Sequence, residues 1–189
     1  MQKRLPKAER REQLLETALE IVRDEGTDAL TLGYLAERAG ISKPIAYTHF
    51  TTRSGLLIAL ALKVDDQHLA VYLDAVKQAP RRLKDVARVA SSAYMHCFTT
   101  LGPEWHAISA ALKGDVEMES FQQKLIDRYA GVFYDVFASY SDLPKTELQL
   151  RCVGIIGAAD AISRNMILGR IDESTAATAM ASLIIKWLG

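Results

Sequence analysis

One short stretch of the chain, AGISKPIAYTHF at residues 39–50, gathers several side chains that can do chemistry. It holds the ammonium of Lys43, the phenol of Tyr47, the hydroxyl of Thr48 and the imidazole of His49. An imidazole can act as a general base, ligate a metal or donate a hydrogen bond to phosphate. The same group of side chains, exposed on one helix, could instead contact a nucleic acid. The rest of the sequence has to decide between these interpretations.

The catalytic interpretation of His49 has no support in the sequence. There is no HExxH metal motif, no phosphate-binding glycine loop and no cluster of residues with metal-ligand spacing. His96 and Cys97 are adjacent, so on a helix their side chains diverge and cannot form a nucleophile–base pair. We therefore expect a protein that is not an enzyme and that requires no cofactor or metal.

Length and composition suit one domain, or one small domain joined to a medium one, since the chain has 189 residues of which 49% are hydrophobic. The formal net charge is zero, so only a local basic patch could indicate a nucleic-acid partner. Cys97 and Cys152 lack a CxxC pattern and are expected to be reduced core thiols. No signal peptide or membrane-spanning segment is recognised, and we expect a cytoplasmic protein without a membrane partner.

Apolar residues recur at helical spacing along nearly the whole chain, whereas strand alternation is rare, so the fold class is predicted to be all-α. The two-part plan is a helix-turn-helix unit of three helices, joined by a long helix to a C-terminal helical bundle. The predicted domains are residues 1–53 and 54–189. Besides two short helices capped by Thr31 and Ser42, we expect helices at 7–25, 53–77, 81–101, 104–112, 117–140, 145–168 and 173–188.

The two short helices are joined by a turn at Gly40, and the small residues Ala36 and Ala39 allow them to approach closely. Ser42 is expected to cap the second of them, with Pro44 tolerated in its first turn. This layout is typical of a helix-turn-helix, whose second helix enters the DNA major groove. The same layout also occurs in helical hairpins that bind nothing.

The exposed chemistry favours DNA binding. Hydroxyl groups at helix N-termini lie beside backbone N–H groups that favour phosphate, and Thr31 and Ser42 occupy such positions. Lys43 can reach a base edge or a phosphate, and Thr48 can hydrogen-bond or place its methyl group on a thymine. Three further side chains are expected to contact the phosphate backbone: Tyr47, His49 and Arg53.

Residues 31–57, TLGYLAERAGISKPIAYTHFTTRSGLL, resemble the DNA-binding signature of the tetracycline-repressor (TetR) family of transcriptional regulators. The resemblance covers roughly residues 10–60. It implies phosphate contacts by Thr31, Tyr47, His49 and Arg53, groove-facing roles for Lys43, Pro44, Ile45 and Thr48, and core positions for Ala46 and Phe50.

Two residues depart from the family pattern. Ala46 replaces a larger aliphatic residue, so the recognition helix is expected to pack less tightly. Gly55 replaces an acidic residue, which is expected to loosen the first turn of the long helix by up to roughly 1 kcal/mol relative to a good helix former. The basic N-terminal run contains Lys3, Arg4, Lys7, Arg10 and Arg11; it could be a DNA-contacting arm or a solvated disordered tail.

The last two helices, 145–168 and 173–188, carry almost no charge over long stretches and are rich in small residues. Helices that are apolar on most sides must be covered on most sides. We therefore expect them to pair with their copies in a four-helix dimer interface, as the resemblance also implies; the alternative is a purely intramolecular core. The expected interface residues are Gly154, Gly157, Ala158, Ala161, Ala179 and Leu183.

Aromatic residues are concentrated in the middle of the chain. Core packing explains any one of them, whereas as a group they could line an apolar pocket, and the resemblance implies an inducer pocket in this region. The candidate ligand-binding residues are Tyr94, Phe98, Trp105, His106, Leu125, Tyr129, Phe133 and Asn165.

Together these features predict a dimeric, sequence-specific regulator that binds double-stranded DNA at a near-palindromic operator. We expect a repressor released by a small apolar or aromatic molecule. One alternative is a DNA-binding regulator without an inducer, whose bundle serves only dimerisation or protein partners. Another is an all-α protein-interaction module that binds no DNA.

Overall fold

The computed structural model of the chain describes residues 5–100, 107–108, 110–111 and 116–189. Within those ranges the secondary structure is helical, without a strand, which confirms the all-α prediction. Most of the helix predicted at 104–112 lies outside the described residues. The helices are α1 (Lys7–Glu25), α2 (Leu32–Arg38), α3 (Lys43–Phe50), α4 (Arg53–Lys77), α5 (Leu83–Thr100), α6 (Val116–Phe137), α7 (Lys145–Ile167) and α8 (Glu173–Leu188), with a 3₁₀ turn at Ala138–Tyr140.

The described residues divide into two compact units. The first contains those up to Gln67 and those between 101 and 119, and the second contains His68–Thr100 and Ser120–Gly189. The division falls within α4. The domain boundary predicted at residues 53/54 stays a prediction.

The core of the first unit is built from the apolar faces of its helices. Leu14, Ala18 and Ile21 line one face of α1 and have no exposed surface. They are joined by the fully buried side chains of Leu30, Leu35, Ala36, Ala46, Leu56 and Leu60. Truncation of a buried Leu to Ala costs about 2–5 kcal/mol, so this small core can fix the position of α3.

The turn between α2 and α3 has the hydrogen bonds of a Schellman motif. Gly40 has φ +66°, its N–H donates to the Glu37 carbonyl at 3.0 Å, and the Ile41 N–H donates to the Ala36 carbonyl at 2.9 Å. A residue with a side chain is strained at such a φ, so glycine is required here. The predicted turn at Gly40 is confirmed.

In the second unit, α5, α7 and α8 pack together around a buried core to which the end of α4 and α6 also contribute. Asp172 caps α8, since its carboxylate accepts the Thr175 N–H at 2.7 Å. This bond lowers the pKa of Asp172, because it stabilises the ionised form.

Among the helices in the described ranges, none is both long enough and apolar enough to cross a membrane.

Candidate nucleic-acid interface

The recognition helix α3 separates its residues cleanly into a buried and an exposed face. Ala46 and Phe50 are buried, as predicted, and Ala46 has no exposed surface at all. The opposite face is exposed to solvent, and Tyr47 on it is 52% exposed. Ser42, Lys43, Pro44, Ile45 and Thr48 are exposed as well, and His49 is half-buried. Seven of the nine residues predicted to contact DNA therefore lie at the start or on the outer surface of one short helix, and the other two, Thr31 and Arg53, lie at the starts of α2 and α4.

The start of α3 differs from the prediction in one respect. Ser42 has the extended backbone of an N-cap, but its hydroxyl makes no capping hydrogen bond. The reason is local: Pro44 has no N–H, and the Ile45 N–H donates to the Ser42 carbonyl at 3.0 Å. The prediction that the Ser42 side chain caps α3 is wrong, and its exposed hydroxyl is left for a partner.

Thr31, in contrast, caps α2 as predicted. Its hydroxyl oxygen accepts the Tyr34 N–H at 3.1 Å. Because the oxygen acts only as an acceptor in this bond, the hydroxyl hydrogen can still be donated outward, for example to a phosphate. Structural capping and phosphate binding are therefore compatible at this residue.

Lys43 lies over the start of α2. A Cβ built on Gly33 would lie 3.6 Å from Lys43 Cε, 3.9 Å from Lys43 Nζ and 4.0 Å from Thr31 Oγ1. A cation and a hydroxyl group thus border the same point on the surface, beside Gly33. Sequence reasoning missed the closeness of Lys43 and Thr31, which follows only from the packing of α3 on α2.

Thr48 and Tyr47 differ in the hydrogen-bonding groups that they leave available to a partner. The Thr48 hydroxyl donates to the Pro44 carbonyl at 2.8 Å, so toward DNA it can act as an acceptor or offer its methyl group. Tyr47 has no hydrogen bond to the described part of the chain, and its phenol can donate to a phosphate oxygen.

The end of α3 is held by Arg11. Its Nη1 donates to the His49 carbonyl at 2.8 Å, and its guanidinium lies 4.7 Å from the centre of the Phe50 ring. Lys7, Arg10 and Arg11 belong to α1, so the suggestion of a disordered tail is wrong for these three residues. Lys3 and Arg4 lie outside the described residues.

His49 lies near this basic cluster. Burial lowers its pKa, and the positive charges of Arg11, Lys7 and Arg10 lower it further. The imidazole is therefore neutral at pH 7, with a single N–H to donate. A phosphate bound beside His49 would favour the charged imidazole. It would therefore raise the pKa of His49, against the effects of burial and of the neighbouring cations.

The junction between α3 and α4 is a strained turn that requires Gly55. Thr51 has φ +57° and ψ −55°, and the Thr52 N–H donates to the Phe50 carbonyl at 2.5 Å, which closes a γ-turn. The Thr52 hydroxyl accepts the Gly55 N–H at 2.9 Å and caps α4. A Cβ at Gly55 would lie only 2.5 Å from the Phe50 carbonyl oxygen. The expectation that Gly55 merely loosens α4 is wrong, because this position has no room for a side chain.

Arg53 ties the beginning of α4 to the α1–α2 connection. Its Nε donates to the Leu30 carbonyl at 2.9 Å and its Nη2 to the Thr27 carbonyl at 2.6 Å. Three of the five guanidinium N–H groups are not used by these bonds. A phosphate contact by the remaining groups stays a prediction.

In the second unit, α7 and α8 expose an apolar face in the single chain. Leu150 is 72% exposed, and Val153, Gly157, Ala161 and Ala179 are exposed too. Ala158 and Leu183 are half-buried. Gly154 is used within the chain: a Cβ there would lie 2.8 Å from the ring of Trp187, which is itself 40% exposed.

The aromatic candidates for a ligand pocket are only partly brought together. The Tyr94 ring contacts those of Phe98, Tyr129 and Phe133, with centroids 5.3, 5.9 and 6.0 Å apart. Leu125 is half-buried and lies outside this cluster as far as the described residues define it. Asn165 bonds locally to the Ala161 carbonyl and to Arg170 at the end of α7. Trp105 and His106 lie outside the described residues.

Comparison with known proteins finds a family match within the first unit. Residues 14–60 match the model of bacterial regulatory proteins of the tetR family. The HTH-type transcriptional activator FasR of Mycolicibacterium smegmatis is 40% identical over 82 residues, which is 43% of this chain and 36% of FasR. The class C tetracycline repressor of Escherichia coli is 47% identical over 51 residues, which is 27% of this chain and 23% of the repressor.

The whole fold is matched by solved structures of low sequence identity. The crystal structure of the multidrug binding protein EbrR complexed with imidazole is 15% identical, with a TM-score of 0.71 over 92% of this chain and 94% of EbrR. At this identity the likeness concerns the fold alone. The sequence relatives, by contrast, are matched over only about a quarter to a third of their lengths.

Proposed function

We propose that this chain, whose residues 14–60 match the tetR family of bacterial regulatory proteins, is a dimeric, sequence-specific DNA-binding transcriptional repressor. A small apolar or aromatic molecule would release it from its operator. The observation that carries the proposal is the exposed face of α3. It presents a cation, a phenol and hydroxyl groups on a helix that the core of the first unit holds rigidly.

Each exposed side chain has a role that its chemistry supports. Tyr47, Thr31 and His49 donate to phosphate oxygens and fix the position of the helix on the duplex. Lys43, Ile45 and Thr48 face base edges in the major groove, where a lysine suits guanine and apolar groups suit the thymine methyl. Pro44 and Ser42 begin the helix at the groove, and Arg53 supports the backbone contact.

Equilibrium binding to duplexes that tile the DNA flanking the gene tests this proposal. The wild-type protein is expected to select one near-palindromic segment, with an affinity that falls steeply as salt increases. Tyr47→Phe is expected to weaken binding to all duplexes by a similar factor, because a phosphate contact carries no sequence information. Lys43→Ala is expected to relax selectivity at one base position in each half-site. Failure to bind any duplex, or binding unaffected by both changes, would contradict the proposal.

Dimerisation is supported by the exposed apolar face of α7 and α8, since a symmetric partner would cover it. Two recognition helices would then meet successive major grooves. Ala179→Asp places a charge on this face and is expected to give monomers with poor operator affinity, measured by light scattering and by the same titration. Ser139 is exposed in the 3₁₀ turn and belongs to neither α7 nor α8, so Ser139→Asp is the control and should remain dimeric. An unchanged Ala179→Asp dimer would refute the interface.

Activation instead of repression is a second candidate, because FasR is a transcriptional activator by name. A reporter gene placed behind the selected DNA segment distinguishes the two. Deletion of the regulator raises reporter expression if it is a repressor and lowers it if it is an activator. In either case we propose that the protein works in the cytoplasm, together with the chromosome.

Release by a ligand is supported by the aromatic cluster of the second unit and by the solved complex of EbrR, a multidrug binding protein, with imidazole. A ligand can shift the protein away from DNA only if it binds the non-binding conformation more tightly. Operator titrations in the presence of a candidate molecule measure this coupling directly. If the protein is instead a DNA-binding regulator without an inducer, no small molecule should change its operator affinity.

A further inference from the structure

The core of the second unit holds few polar groups. Among its described residues no Asp, Glu, Lys or Arg side chain is buried. Besides the ring nitrogen Nδ1 of His68, the buried polar groups are phenols, hydroxyls and a thiol, namely those of Tyr72, Tyr94, Ser91, Ser163 and Cys152. Such groups form hydrogen bonds but offer no counter-charge to an ion.

Two of these groups have no hydrogen-bond partner within the described part of the chain. They are the hydroxyl oxygens of Tyr72 and Ser91, and the two residues are 1% and 0% exposed. Ser163 shows the usual solution, since its hydroxyl donates to the Asp160 carbonyl at 2.9 Å. A buried polar group that remains unpaired destabilises the folded state by about 1–3 kcal/mol, so two in one core require an explanation.

The Tyr72 hydroxyl belongs to the aromatic cluster. Its ring stacks on Phe133 with centroids 5.7 Å apart, and Phe133 also contacts Tyr94. Burial raises the pKa of Tyr72, and the Tyr94 phenol and the thiols of Cys152 and Cys97 add to this effect. Ser91 lies one helical turn before Tyr94 and Met95, on the same buried face of α5.

We propose that the Tyr72 and Ser91 hydroxyls are the polar anchors of the effector site, and that the effector is a neutral molecule with an aromatic body and a hydrogen-bond acceptor such as a carbonyl oxygen. This inference rests on the proposed function, which it narrows by excluding anionic and cationic effectors. An acceptor on the ligand would pair with the Tyr72 O–H, which the described residues leave without a partner. A charged group would lose its hydration in a core whose described residues bury no Asp, Glu, Lys or Arg side chain.

Three molecules of similar shape test the chemistry. Acetophenone carries a carbonyl acceptor, cumene replaces the oxygen with a methyl group, and benzoate replaces the methyl ketone with an anion. Binding to the full-length protein is measured by ligand-observed NMR titration to millimolar concentration. We expect acetophenone to bind about three- to tenfold more tightly than cumene, the gain typical of one hydrogen bond, and benzoate not to bind.

The variant Tyr72→Phe tests whether the Tyr72 hydroxyl binds the ligand or only stabilises the fold. It should abolish the preference for acetophenone over cumene, and it should leave the melting temperature of the ligand-free protein unchanged or higher, since an unpaired group is removed. Ser91→Ala should act in the same direction. Tyr134→Phe is the control, because Tyr134 is half-exposed and packs against the same core.

Several results would overturn the proposal: no binding of any of the three molecules, tighter binding of benzoate, or an acetophenone preference that survives in Tyr72→Phe. A lower melting temperature of Tyr72→Phe together with a retained preference would assign the hydroxyl to an internal water instead. Duplex binding is measured in parallel on every variant. If the wild-type protein binds the probes but no duplex, the proposed regulator fails while the site assignment stands.

Discussion

The first unit and the second unit differ in where their uncommitted polar groups lie. On α3 the groups that can bind a partner point into solvent, while the Arg11 side chain donates to the His49 carbonyl at the end of the helix. Hydrogen bonds of the Arg53 and Thr52 side chains fix the start of α4 next to it. In the second unit the uncommitted hydroxyls are buried inside the core. A surface site for a large partner needs rigidity, whereas an interior site for a small molecule needs polar groups that its own fold leaves unsatisfied.

The largest expected effect concerns the α3–α4 junction. Gly55→Ala forces a Cβ against the Phe50 carbonyl and should lower the free energy of unfolding by roughly 1–3 kcal/mol, as overpacking does. The tilt of α3 should change with it, so operator affinity should fall at least tenfold. Chemical denaturation and duplex titration measure the two effects.

Gly131→Ala is the matched control, because a Cβ there meets nothing within 4 Å. The residue is an exposed glycine inside α6, so the change should stabilise the protein by up to about 1 kcal/mol. If both variants behave alike, the close approach at Gly55 does not constrain the junction.

The next effect concerns the support behind α3. Arg11→Gln removes a charged donor to the His49 carbonyl and the cation over the Phe50 ring, and should cost about 1–2 kcal/mol of stability. Operator affinity should fall for all duplexes alike, because the whole helix shifts. Arg10→Gln, whose side chain bonds to Gln13 within its own helix, should change stability by less than about 0.5 kcal/mol. Equal losses for the two arginines would contradict the bracing role.

Equivalent helix caps in the two units sharpen the comparison further. Thr31→Ala removes the cap of α2 and should cost about 1 kcal/mol and weaken operator binding. Asp172→Ala removes the cap of α8 and should lower the melting temperature while leaving the operator affinity of the folded dimer unchanged. A loss of DNA affinity in Asp172→Ala would contradict the view that the first unit alone determines contact with DNA.

The cap of α8 also has a defined pH dependence. The pKa of Asp172 is lower in the folded than in the unfolded protein, so its stabilisation is present above the unfolded value and is lost as pH falls through the folded value. Asp172→Asn keeps an acceptor for the Thr175 N–H but cannot titrate. It should therefore remove this part of the acid sensitivity in thermal melts between about pH 5 and pH 3.

The smallest expected effect is the titration of His49. In the free protein its pKa is lowered by burial and by Arg11, so lowering the pH below about 6.5 protonates the unfolded chain first and reduces stability. A phosphate raises the pKa in the complex, so operator affinity should increase by less than about tenfold between pH 7.5 and pH 6. His49→Gln should abolish this increase, and its persistence would remove His49 from the phosphate contacts.

Sequence reasoning reached the first unit in more detail than the second. Helix periodicity, the turn at Gly40 and the exposed set on α3 all depend on local patterns, and the structure reproduces them. The closeness of Lys43 and Thr31 and the roles of Gly55 and Arg11 depend on approaches between different helices, which no local pattern records. Ser42 is the N-cap residue of α3, but its hydroxyl makes no capping bond, because the Ile45 N–H already donates to the Ser42 carbonyl, a detail of turn geometry.

In the second unit the sequence indicated an aromatic core but not which polar groups it leaves unpaired. Tyr72 lies near the end of a long helix and Ser91 among small residues, and neither has a motif around it. Asn165 was a candidate for a polar ligand contact, but its amide already forms hydrogen bonds with the Ala161 carbonyl and with Arg170. Whether a polar side chain finds a partner is decided by side-chain directions in the packed core, which helical spacing alone does not give.

The position of Trp187 across Gly154 gives the molecule an optical reporter. Its indole lies on the apolar face of α7 and α8 and is still 40% exposed in the single chain. A partner that covers this face would move its fluorescence emission to shorter wavelength, and dilution would reverse the shift. The chain contains one other tryptophan, Trp105, so a Trp105→Phe background isolates the signal. Self-association of the unlabelled protein can thus be followed by the emission wavelength of Trp187.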